Sequence, residues 1–126
     1  MAYLNDETAE LINLGAYQRA VTDIVDQLHE RGVRVAMQTI TPRLGVARTM
    51  GKYLPSMEQL RLELNEWIRS AGIFDYVFDA EAVVRDQHED GWYFREGIHM
   101  GDHLHPNDEG GQLLADAWNL EQLVGA

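Results

Sequence analysis

The sequence predicts an α/β domain, and three observations carry that prediction. Segments of helical period alternate with short β-branched or aromatic runs, in the order helix, strand, loop, helix, strand, loop, helix. Glycines stand where the helical segments end, at Gly32 and Gly72. The chain has 126 residues, 45% of them hydrophobic, which suits one domain, residues 1–126, with a buried core.

The first helix is expected over Asp6 to Arg31, where Leu11, Leu14, Val21, Ile24, Val25 and Leu28 recur at helical spacing. Gly15 weakens its first turns, so Asn13 stands as an alternative cap. Val33 to Ile40 reads as a strand placed directly after the helix stop. Thr41 to Leu54 holds Pro42, Gly45 and Gly51 and reads as a loop. Ser56 with Gln59 has the spacing of a capping box, opening a helix with Leu60, Leu64, Trp67 and Ile68 on its inner stripe. Tyr76 to Asp79 is the second strand, and Ala80 to Val84 is weakly helical. Asp86 to Gly101 is polar and without clear period, and it reads as a loop. A last helix is expected from about Pro106 to Val124, with Leu113, Leu114, Ala117, Trp118 and Leu120 facing inward. Trp67 and Trp118 read as core residues.

Two strands leave such a sheet incomplete, because parallel strands need both faces covered and expose an edge able to pair with another chain. A partner chain, a second copy or a refolded N-terminus must complete the sheet, and the expectation is a homo-oligomer or a partner chain. A net charge of −11 argues against nucleic acid, whose recognition draws on clustered Lys and Arg. No apolar run approaches the roughly 20 residues of a membrane span, and Met1 to Leu14 lacks the basic-then-apolar layout of a secretory signal. With no cysteine, disulfides and thiolate metal sites are excluded, but the compartment stays open.

The run Asp102-His103-Leu104-His105-Pro106-Asn107-Asp108-Glu109-Gly110 carries the chemistry. A residue before proline is pushed out of the helical region, while Pro106 and Asn107 suit a helix start, so His105 belongs on a loop at a helix mouth. Asp102, three residues earlier, is close enough to orient the ring. A carboxylate that fixes the tautomer of a base is two thirds of a nucleophile, base and orienter set. Loops after strand ends are where open α/β sheets place their ligands.

Asp102-x-x-His105-Pro106-Asn107-x-x-Gly110 is similar to the last conserved block of GDSL-type, or SGNH, serine ester hydrolases. Leu28 to Val35, Thr39-Ile40-Thr41-Pro42, Asn65 to Arg69 and Phe74 to Asp79 follow in that family's order and spacing. From Thr8 to Val124 the chain resembles the C-terminal part of such an enzyme. The resemblance implies a three-layer flavodoxin-like fold with its N-terminal strands incomplete or missing, completed by another chain. It implies an ester as small-molecule substrate, His105 as base, Asp102 as its orienting acid and no cofactor. Tyr3-Leu4-Asn5-Asp6 resembles the third block, Gly-x-Asn-Asp, with Tyr3 in place of glycine, and makes Asn5 the oxyanion candidate.

The first block, a strand ending in Gly-Asp-Ser with the nucleophile, has no counterpart, and neither has the second block's oxyanion glycine. The only serines are Ser56 and Ser70, both read as helix ends, and Thr39 and Thr41 are the hydroxyls nearest by topology. Trp92, Tyr93 and Phe94 precede the site and either line an acyl pocket or pack onto the body. Three readings follow: a hydrolase segment whose serine comes from another chain or from upstream sequence, a catalytically silent module for binding or assembly, and a small metalloprotein. The last rests on His99, Asp102, His103 and His105 crowded into seven residues. No metal is assigned, because the triad reading already accounts for Asp102, His105, Pro106 and Asn107 together.

Overall fold

The computed structural model describes residues 13–48 and 53–125, and over them the chain is a small mixed α/β domain. In order it forms α1 (Leu14–Glu30), β1 (Ala36–Gln38), a 3-10 helix (Leu44–Arg48), α2 (Pro55–Ser70), β2 (Tyr76–Phe78), α3 (Ala80–Val84), β3 (Arg85–His88), β4 (Gly91–Phe94), α4 (Asp108–Ala117) and α5 (Leu120–Val124). Among the described residues no helix is long and apolar enough to cross a membrane.

Local chemistry sets most of the boundaries. The Asn13 side chain accepts from the Ala16 amide and starts α1 there. The expected helical residues before it lie outside the described part. Gly32 and Gly72, both at positive φ, follow the ends of α1 and α2. The expected capping box does not form: Pro55 takes the first helical position, Leu54 becomes the cap without a side-chain bond, and Ser56 falls inside the first turn. The loop after β1 tightens into the 3-10 helix over Leu44–Arg48.

The segment from Asp86 contains a hairpin rather than a loop. β3 and β4 pair antiparallel from Arg85 opposite Phe94 to His88 opposite Gly91, with Glu89 and Asp90 at the turn. Its first strand is polar because it is exposed, whereas Tyr93 and Phe94 on the second are buried. The final helix also differs, breaking at Trp118 and Asn119. Trp118 leaves helical geometry to stack on Phe78, ring centroids 4.3 Å apart, while Asn119 caps α5 and gives its amide to the Tyr76 hydroxyl. Leu113 and Leu114 pack inward on Val84, Phe94 and Ile98, but Ala117 and Leu120 are exposed. A second apolar cluster joins α1 to α2 through Leu14, Tyr17, Leu60 and Leu64.

β1 and β2 pair in parallel, Ala36 with Tyr76 through Gln38 with Phe78. No third strand joins them among the described residues. Where these strands end, buried polar groups replace an apolar core. The Asn65 amide clamps Ile40, accepting from its N–H at 2.7 Å and donating to its carbonyl at 2.8 Å. Arg61 donates to Glu58, Glu81 and the Ile40 carbonyl. Arg69 grips Asp79 with two bonds of 2.9 Å and also reaches Glu81 at 2.7 Å.

Burial raises the Glu81 and Asp79 pKa values, but the bonds from Arg69 to both, from Arg61 to Glu81 and from Thr39 to Asp79 outweigh it and hold both carboxyls below their usual range. A carboxyl with a depressed folded pKa adds stability that is complete above its unfolded value, about 3.9 for Asp and 4.3 for Glu, and is lost as pH falls through the folded value. Melting temperature should therefore hold down to about pH 4 and drop below it. Asp79→Asn should start lower and lose less over the same acid range. An unchanged slope in a melting series would contradict the assignment.

Candidate active site

The site loop grows out of β4. Ile98 is buried beside Phe94, and the chain then closes on itself through an antiparallel bridge between His99 and Pro106. The Met100 amide donates to the His105 carbonyl at 2.9 Å, and the Asn107 amide to the Ile98 carbonyl at 3.0 Å. Asn107 is the pin between loop and helix. Its side-chain oxygen accepts from Gly110 N–H to cap α4, while its amide group donates to the carbonyls of Gly97 and His99. Gly110 is required by the same contact, since a Cβ there would lie 2.2 Å from the Ile98 carbonyl oxygen. The Asn-x-x-Gly spacing is thus a packing solution that fixes where Pro106 and His105 stand.

Inside the closed loop, Asp102 turns back on the residues that follow it. Its Oδ1 accepts from the amides of Leu104 and His105, both at 3.0 Å, and its Oδ2 lies 2.5 Å from His105 Nδ1. The His105 amide first and its ring second hold the Asp102 carboxyl well below the usual range. An ionised carboxylate only accepts, so Nδ1 is the ring's donor and the lone pair of the neutral imidazole sits on Nε2. That nitrogen has no partner among the described residues, and the His105 side chain is 63% exposed. Asp102 therefore both shapes the turn and aligns a proton acceptor that opens to solvent.

The loop also packs against the segment that follows β1. The 3-10 helix that follows the carboxyl end of β1 comes against it so closely that a Cβ on Gly45 would sit 2.5 Å from His103 Cβ. His103 itself holds φ 60, a left-handed conformation uncommon outside glycine that histidine adopts more often than most side chains. Beside His105, at the mouth of α4, is an open cleft of about 660 Å³ lined by Met100, Pro106, Asn107, Asp108, Glu109 and Gly111.

The other expected residues fall elsewhere. Trp92, Tyr93 and Phe94 do not line this cleft. Phe94 is core, Tyr93 is buried with its hydroxyl on Asp90, and Trp92 is covered by the Arg85 guanidinium at 4.0 Å. Thr39 is buried, donates its hydroxyl to Asp79 at 2.9 Å and accepts from the Glu81 amide at 3.0 Å, so it is committed to the fold. Ser56 is exposed in the first turn of α2, and the Ser70 hydroxyl donates to the Glu66 carbonyl on the same helix. Asn5 lies outside the described residues. The crowded histidines divide into two groups: Asp102 pairs with His105, whereas His99 and His103 face Glu96, a residue the sequence did not single out.

No protein-family model matches the chain, and no curated protein matches it. The functional reading therefore stands on the geometry of this loop and on the motif it carries.

Proposed function

We propose that the chain is the acid-and-base half of an SGNH-type ester hydrolase, on a flavodoxin-like three-layer fold whose sheet is completed along β1 by a further chain. The observation that carries this reading is the Asp102 to His105 contact with its free Nε2. A serine from outside the described residues attacks the ester carbonyl. His105 Nε2 takes the serine proton and gives it to the leaving alcohol, then takes a proton from the water that releases the acyl group as acid and returns it to the serine, while Asp102 holds the ring and stabilises the imidazolium. Among the described residues β1 pairs only with β2, and its other edge is where the chain that brings the serine would add its strands.

One observation favours a second reading, a silent module that keeps the fold for binding or assembly. Among the described residues no hydroxyl is hydrogen-bonded to His105, and Thr39 is engaged by Asp79 and Glu81. A serine-directed phosphonate separates the two readings when applied to the chain alone and to the chain with the polypeptide that co-purifies with it. The hydrolase reading predicts covalent labelling and turnover of short-chain esters in the combined sample. Neither labelling nor turnover in both samples would remove it and leave the silent module.

A further inference from the structure

We propose that Glu96, His99 and His103 form a binding site for a divalent transition-metal cation of the zinc class, separate from the Asp102 and His105 pair. Among the described residues, His99 Nε2 is buried with no hydrogen-bond partner on a side chain only 6% exposed, and His103 Nδ1 is likewise buried and unpartnered. Both nitrogens face the carboxylate of Glu96, at 3.4 Å from His99 Nε2 and 3.6 Å from His103 Nδ1. One donor atom from each of the three residues lies within 4.8 Å of the others.

The distances decide what the cluster is built for. Charge-assisted hydrogen bonds between nitrogen and a carboxylate close to about 2.7 to 2.9 Å, and neither pair does so. Two ligands on a tetrahedral cation, each bonded at about 2.0 to 2.1 Å, stand about 3.4 Å apart. Each nitrogen stands near that second distance from its nearer Glu96 oxygen, Oε2 for His99 and Oε1 for His103. Two imidazoles and a carboxylate are a zinc-type donor set, and three protein ligands leave a fourth position for water.

One feature of the loop opposes loading and sets its strength. His99 Nδ1 accepts from the amides of Gly101 at 2.9 Å and His103 at 3.3 Å, which favours the proton on Nε2. A cation on Nε2 moves that proton to Nδ1 and costs those amides their acceptor. A lost bond of this kind weakens binding by about tenfold to a hundredfold, whereas zinc sites with full ligand sets bind far below micromolar. The expected affinity is about micromolar. Loading also moves the amides of Gly101 and His103, which flank Asp102.

The test is calorimetric titration of zinc chloride into tag-free protein. The site predicts one cation per chain at about micromolar affinity, weakened at least about tenfold by Glu96→Gln and by His103→Asn, and unaffected by His88→Gln on the exposed hairpin. Glu96 is 72% exposed, so its replacement leaves the fold intact, and asparagine tolerates the positive φ at position 103. Thermal melts of the zinc-free variants verify that both are folded. No saturable binding at about 100 μM zinc, or binding unchanged in both variants, would overturn the proposal. Neither result depends on ester hydrolysis.

Discussion

Glu81→Ala should lower the free energy of unfolding by about 3 kcal/mol, the low end of what is lost when one member of a buried ion pair is removed. Glu81 is 1% exposed and accepts from Arg61, Arg69 and Arg85 at once. Its backbone amide also donates to Thr39, so the residue ties α3 to the end of β1. Truncation leaves the equally buried Arg61 with a charge that Glu58 alone must balance, and Arg69 with Asp79. These remaining partners keep the loss from reaching the upper end of about 5 kcal/mol. Urea denaturation of the variant measures it, and a change under about 1 kcal/mol would mean that the network is exchangeable surface charge.

On the proposed hydrolase reading, His105→Ala should reduce ester turnover by the chain with its serine-bearing partner by about 10⁴-fold or more, with little change in KM, because a general base acts in the transition state and not in substrate binding. Asp102→Asn should cost about 10⁴-fold by a different route, since an amide cannot hold the Nδ1–H tautomer as an ionised acceptor does. The two losses should not add, because the acid works only through the ring. His105 is mostly exposed, so its variant should melt as the parent does. Steady-state kinetics on a short-chain ester check both. Unchanged turnover in His105→Ala would assign the rate to another site.

What could be read from the sequence was local. Asn13 and Asn107 announced their helices because a cap needs only a side-chain oxygen and the amides two or three residues on. The Asp102 and His105 contact was legible for the same reason, being made within one loop across three positions. Part of what was missed depends on contacts distant in the chain. The break at Trp118 exists because its ring finds Phe78, and no helical period records that. The β3–β4 hairpin hid behind an exposed polar strand, although Asp90-Gly91 followed by three aromatics was a turn and strand signal. Glu96 joins His99 and His103 only because the loop closes, and in the β4 strand of the hairpin Tyr93 and Phe94 are buried while Trp92 lies under Arg85 of the paired strand.

The account turns on a proton acceptor aligned by a carboxylate, and the ring nitrogens of His105 report on that directly. Nitrogen-15 NMR of histidine-labelled protein, read where the ring is neutral, should show Nδ1 protonated, with its proton shifted downfield, and Nε2 unprotonated. Asp102→Asn should abolish that signature. A His105 ring that carries its proton on Nε2, or whose nitrogens do not respond to Asp102→Asn, would contradict the account.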